Sequence, residues 1–196
     1  MFWLRDRVLG VLESRSLAHA LRRFSVEQTT AKVAKETETV QRFKVHLVTS
    51  SGEDLPSKIE LSRRGLEDGI EVSPVRPEVL GPYKMPPLLA PHYDGPAAVL
   101  QKIRALGGRT EPQPRDVFDL YTLSSQVDSD AVGRARIGKG LLHQAHQRAL
   151  EIDYRHYRDA VVAFLAPEVR EHYEPEAVWD EIRLTAAALV EGSGGG

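Results

Sequence analysis

Apolar side chains near the start of the chain recur at helical intervals: Phe2, Val8, Leu9, Val11 and Leu12, then Leu17, Leu21 and Phe24. That spacing predicts one or two amphipathic helices, each with a stripe that needs cover. A helix this close to Met1 has no preceding cap or connection, so the chain is expected to begin partway through a structure. From Val40 to Val48 the period changes to two. Phe43, Val45 and Leu47 alternate with Arg42, Lys44 and His46, as in a strand with one covered face. Ser50-Ser-Gly-Glu-Asp54 is a polar turn cluster, and Lys58-Ile-Glu-Leu-Ser62 alternates again, so an antiparallel hairpin is predicted. Residues 71–75 are a candidate third short strand.

The stretch from Pro74 to Pro96 is dense in proline, which disfavours helix and central strand and predicts a long ordered connection. Asp94 then offers a helix N-cap with Pro96 in the first turn, and Gly107-Gly108 a stop after Leu106. A second helix is predicted from Pro114 past Leu123. Others are predicted over residues 141–152, 154–165 and 176–190. Strands first and helices afterwards make an α+β fold, a small antiparallel sheet followed by a helical C-terminal portion. There is no internal repeat.

Composition narrows the function classes. A chain of 196 residues with 41% hydrophobic and 28% charged positions folds as an ordinary domain. Its net charge of −2 excludes a nucleic-acid binder driven by bulk charge. Charge is uneven, however: from Lys102 to Arg148 there are eight Lys/Arg against five Asp/Glu, so an anion site is expected in the middle third. With no cysteine, a disulfide framework, a thiol nucleophile and a cysteine zinc site are excluded. A cytoplasmic location agrees with that absence. No signal-peptide core or membrane-length apolar run is present, so no membrane partner is expected. Gly-Ser-Gly-Gly-Gly at the end reads as a flexible tail.

The densest chemistry lies in Lys102-Ile-Arg-Ala-Leu106, the Gly-Gly break, Arg109, and Arg115-Asp-Val-Phe-Asp-Leu-Tyr121. Lys102 borders the apolar stripe Val99-Ile103-Leu106, where it can bury its stem and aim its ammonium into a cleft. Arg115 and Asp119 are four apart, and Asp116 and Asp119 share a helix face. Two readings stand. The group can hold a phosphate and a metal, or it is an i,i+4 pair of Arg115 and Asp119, worth ~0.3–0.5 kcal/mol, beside a solvated lysine. Elsewhere the signals are weaker. His143 and His146 sit three apart without a zinc-protease pattern, Gly138-Lys-Gly140 lacks the rest of a phosphate loop, and Asp128-Ser-Asp130 reads as a loop or cap. Trp179 and Tyr173 read as packing residues. Glu60 stands mid-strand, opposite in direction to Ile59 and Leu61, which is the pattern of a solvent-facing strand carboxylate.

The order Lys102, Ala105, Leu106, Arg109, Arg115, Asp116, Asp119, Leu120, Tyr121 resembles the AbiEii/AbiGii-type nucleotidyltransferase toxins, whose pattern runs Lys-x-x-Ala-Leu, Arg, Arg-Asp-x-x-Asp-Leu. Residues 154–167 and 178–182 look like the family's closing helices. The resemblance implies a partial nucleotidyltransferase-like α+β core over residues 1–100, a helical portion over 101–191 and a tail over 192–196. It also implies nucleotide transfer from a nucleoside triphosphate to an acceptor such as tRNA, by a toxin with a cognate antitoxin. Glu60 would be a Mg²⁺ or base carboxylate, on a strand followed by Arg63 and Arg64. Lys102 would bind phosphate, Asp116 and Asp119 would order the site or assist proton transfer, and Arg63, Arg64, Arg109 and Arg115 would contact substrate. Which aspartate would be the base stays open. The sequence departs from the pattern in one respect: no Gly-Ser or Gly-Gly turn followed by Asp-x-Asp precedes the matching part. Without that pair, two-metal transfer loses most of its ligands. The expectation is therefore either the C-terminal part of a longer protein, its Mg²⁺ site completed elsewhere, or a non-catalytic binding module that keeps the antitoxin or RNA surface.

Overall fold

The computed structural model describes residues 3–62, 69–127, 132 and 137–193, in two compact units, Met1–Leu66 and Glu67–Gly196. The first unit opens with α1 (Trp3–Leu12) and α2 (Arg15–Arg22). Ser14 separates them, its hydroxyl accepting the Leu17 N–H at 3.1 Å as an N-cap. Three antiparallel strands follow, β1 (Val26–Glu36), β2 (Val40–Thr49) and β3 (Asp54–Ser62), in the order β1-β2-β3. The predicted hairpin is β2–β3, with Val40 opposite Ser62 and Val48 opposite Asp54. Gln41, Phe43 and Val45 are buried on one face, as the alternation required.

The strand β1 was not foreseen. Val26-Glu-Gln-Thr-Thr-Ala-Lys-Val has little apolar alternation. It becomes a strand because β2 presents a row of backbone groups to pair with, and partner context outweighs local preference in strands. Residues 70–74 form the other surprise. They do form a strand, β4 (Ile70–Pro74), but it pairs with β5 (Leu89–Tyr93) in a separate two-stranded sheet of the second unit. The proline-rich stretch is therefore more regular than expected, holding β5, α3 (Pro77–Leu80) and a 3₁₀ turn at Gly81–Tyr83. Pro91 is tolerated in β5 because each strand of a two-stranded sheet keeps an unpaired edge.

Helices make up the rest of the second unit: α4 (Gly95–Gly108), α5 (Pro114–Ser124), α6 (Lys139–Glu151), α7 (Tyr154–Ala160), α8 (Pro167–Tyr173) and α9 (Glu176–Gly192), with a 3₁₀ turn at Val162–Phe164. Asp94 caps α4 as predicted, its carboxylate accepting the Ala97 N–H at 2.8 Å. Val99, Ile103 and Leu106 of α4 meet Val117 and Leu120 of α5, Ala145 and Ala149 of α6, and Ile182, Ala186 and Val190 of α9 in one buried cluster. Trp179 lies at its base, stacked on Tyr157 at 4.3 Å between ring centroids and 13° between planes. The Trp179 indole N–H donates to the Ile152 carbonyl at 3.1 Å. Burial pushes the Tyr157 phenol well above its ordinary range, and the neighbouring Tyr173 adds to the shift. The hydroxyl stays protonated and donates to the Tyr173 carbonyl at 3.0 Å. The fold is α+β, a small antiparallel sheet followed by helices. Among the described residues no helix is long and apolar enough to cross a membrane.

Candidate functional site

The apolar stripe of α4 fixes what its neighbour Lys102 can reach. With Val99, Ile103 and Leu106 buried, the Lys102 stem runs along the edge of the core and its side chain is only 28% exposed. On α5, Pro114 fills the first helical position and is itself buried. Asp116 follows in the first turn, where the helix dipole favours a carboxylate. The two helices cross so that Lys102 Nζ lies 3.4 Å from Asp116 Oδ1 and 2.5 Å from Asp119 Oδ2. Arg109, just past the end of α4, places its Nε 3.1 Å from Asp116 Oδ2. The Asp116 side chain is 1% exposed, so it is a buried carboxylate compensated by two cations. The Arg109 contact is one of charge rather than a directed bond, since no N–H points at Oδ2. Guanidinium donors therefore remain for another acceptor.

This geometry revises the electrostatic reading from sequence. Asp119 pairs with Lys102 rather than with Arg115, and Lys102 is a bridge between carboxylates rather than a solvated neighbour. Arg115 is exposed and carries no ion pair among the described residues. Glu60 belongs to the first unit, where Arg42 Nη2 holds its carboxylate at 2.6 Å across β2–β3. Arg63, Arg64, Asp128 and Asp130 lie outside the described residues.

Sequence reading missed the device that holds Arg109 in place. The end of α4 has no left-handed glycine cap; Arg109 itself closes the helix in an extended conformation. Arg148 of α6 supplies the missing donors, its Nη1 donating to the carbonyls of Leu106, Gly107 and Arg109 at 3.0, 2.7 and 2.6 Å. No motif announces an arginine forty residues away. Gly107 makes the approach possible: a Cβ there would sit 2.7 Å from Leu141 Cδ1 and 2.8 Å from the Leu141 carbonyl oxygen. Gly107→Ala is accordingly expected to cost about 1–3 kcal/mol by overpacking. Gly108→Ala, with open space at its Cβ, is expected to be neutral or stabilising by up to about 1 kcal/mol. Urea unfolding of the two variants measures the contrast, and equal midpoints would refute it.

The donor set also decides what the cluster can bind. Mg²⁺ needs several hard oxygens without competing positive charge. Asp116 and Asp119 are already met by Lys102 and Arg109, and no group of three or more metal-binding acidic or histidine side chains occurs among the described residues. The cluster does not fit a resident Mg²⁺. Its cations, Lys102 and Arg109, have side chains 28% and 41% exposed, and cations of these two types donate to phosphate oxygens. An open groove of about 350 Å³ lies elsewhere in the second unit, lined by Lys139, Leu142, His143, His146, Val190 and Glu191.

The chain belongs to the AbiEii family: the family described as "Nucleotidyl transferase AbiEii toxin, Type IV TA system" matches residues 13–186. Among solved structures it is similar to a candidate nucleotidyltransferase from H. pylori, with 16% identity, 84% of this chain and 65% of that one covered, and a TM-score of 0.46. JHP933 from Helicobacter pylori is similar to the same degree, with 16% identity, 84% and 63% coverage and a TM-score of 0.45. The chain thus spans slightly under two thirds of the length of either. No curated protein matches it.

Proposed function

We propose that the Lys102–Arg109–Asp116–Asp119 cluster binds the phosphates of a nucleoside triphosphate, the nucleotide donor in a toxin type that transfers to an acceptor such as tRNA and has a cognate antitoxin. The observation that supports this reading is two partly exposed cations held by one buried carboxylate in an AbiEii-family chain. Asp116, being buried, positions Lys102 and Arg109. Asp119 is 40% exposed, so its hold on Lys102 is exchanged for a phosphate at small cost. Its accessibility also makes Asp119, not Asp116, the carboxylate able to meet an acceptor hydroxyl. Arg115, exposed on the same helix, is a further contact for substrate. Mg²⁺ enters this proposal bound to the triphosphate, as part of the substrate.

No Asp-x-Asp precedes the cluster in this chain, so the state proposed for it is nucleotide binding without transfer. Calorimetric titration with each of the four ribonucleoside triphosphates and Mg²⁺ is expected to give saturable binding, while labelled nucleotide is not incorporated into bulk tRNA. A folded chain that binds none of the four would sink the nucleotide site. Robust incorporation would sink the binding-only assignment.

A further inference from the structure

The pairing register of the first unit places three lysines in one row. Lys32 of β1 is directly opposite Lys44 of β2, and Lys44 is directly opposite Lys58 of β3. All three are exposed, and none has an ion pair or hydrogen bond among the described residues. Like charges directly opposite on one face destabilise a sheet. Lysines on the edge strands β1 and β3 would be explained by protection against edge-to-edge pairing. Lys44 cannot be, because β2 is the central strand. The next row on the same face is also basic: Lys35 opposite Arg42, with Arg42 taking up Glu60. The acidic residues of the face are engaged, Glu60 by Arg42 and Asp54 by His46 at 2.8 Å. Charge separation along the chain points the same way. Residues 1–66 hold 12 Lys/Arg against 8 Asp/Glu, a net of +4, and residues 67–196 hold 14 against 20, a net of −6.

We propose that this lysine face binds the phosphodiester backbone of a structured, double-stranded nucleic acid. Adjacent strands lie about 4.8 Å apart and alternate residues along a strand about 6.6 Å apart, so the face is a grid of flexible cations. Such a grid reads backbone charge and carries no base specificity. The face Thr30, Lys32, Arg42, Lys44, His46, Pro56, Lys58 contains no Phe, Tyr or Trp, and its one ring, His46, is held by Asp54, so it offers no row of rings on which unpaired bases could stack, which disfavours a single strand. It also lacks apolar anchors of the kind that seat a protein on a membrane. The inference deepens the nucleotidyl-transfer reading by giving the acceptor a surface. Binding is measured without nucleotide, so either proposal can fail alone.

The test is fluorescence anisotropy on the full chain with a labelled RNA hairpin and a labelled DNA duplex, across a range of salt. Each lysine replaced by alanine is expected to lower the slope of log affinity against log salt by about 1. Lys44→Glu is expected to abolish binding while raising Tm, because it turns two repulsive cross-strand pairs into attractive ones. Lys32→Ala/Lys58→Ala provides a second, neutral variant of the edge strands. Arg155→Ala, which removes an exposed cation of the other unit, is expected to bind both probes normally. Binding of both probes supports backbone recognition in general, and binding of the hairpin alone supports an A-form duplex as the source. Three results would overturn the proposal: slopes unchanged in all the lysine-row variants, displacement by poly-glutamate as effective as by duplex, or tighter binding to phosphatidylserine vesicles than to either nucleic acid.

Discussion

Lys102→Met is expected to weaken nucleoside triphosphate binding by about 10–100-fold, the value of one charge-assisted contact to phosphate of about 1.5–3 kcal/mol. Methionine keeps the aliphatic stem that lies along Val99, Ile103 and Leu106, so the change is mainly one of charge. Stability should also fall. Asp116 is 1% exposed and would keep Arg109 as its remaining cation. Complete loss of compensation for a buried carboxylate costs about 3–5 kcal/mol, and here half of it remains, so about 1–2 kcal/mol is expected. The two effects can be separated. Asp119→Asn removes only the exposed partner of Lys102 and should leave the unfolding free energy within about 0.5 kcal/mol of wild type. Should Lys102→Met lose stability while its triphosphate titration matches wild type, the cluster is a helix lock and nothing more.

Trp179→Ala is expected to be the most damaging single change to the fold, at about 4 kcal/mol. Three losses add there. The side chain is 1% exposed and among the largest in the core, so its removal leaves a cavity. The stacked contact with Tyr157 disappears. The Ile152 carbonyl loses the indole donor between α6 and α7. A typical domain is stable by about 5–15 kcal/mol, so the variant should be marginal at room temperature. Trp179→Phe, which restores part of the volume but not the donor, is expected to lose about half as much. Urea denaturation followed by circular dichroism measures both, and a loss under about 1 kcal/mol for the alanine variant would contradict this account of the core.

Much of the fold could be read along the chain because its causes are local. The Asp94 cap, the Pro114 helix start, the alternation in β2 and the stripe Val99-Ile103-Leu106 each act within a few residues. Elements whose causes are distant could not be read. The strand β1 exists through its pairing with β2, and β5 forms across a proline-rich stretch because β4 lies beside it. The same division runs through the site. The motif order identified the AbiEii family and marked Lys102, Arg109, Asp116 and Asp119, as the match over residues 13–186 shows for the family.

The sequence by itself determined which charged residues this protein carries, which of them stand on the helices and on the β2–β3 hairpin, and to which family they belong. Tertiary structure decided how those charges are spent. It paired Lys102 with Asp119 in place of Arg115, buried Asp116 between two cations, engaged Glu60 with Arg42 and brought Arg148 to the end of α4. It also set Lys32, Lys44 and Lys58 side by side. The physical reason is that a helix or strand preference depends on neighbours in the chain, whereas an ion pair or a strand register depends on distances across it. Those distances are fixed only when the apolar faces pack.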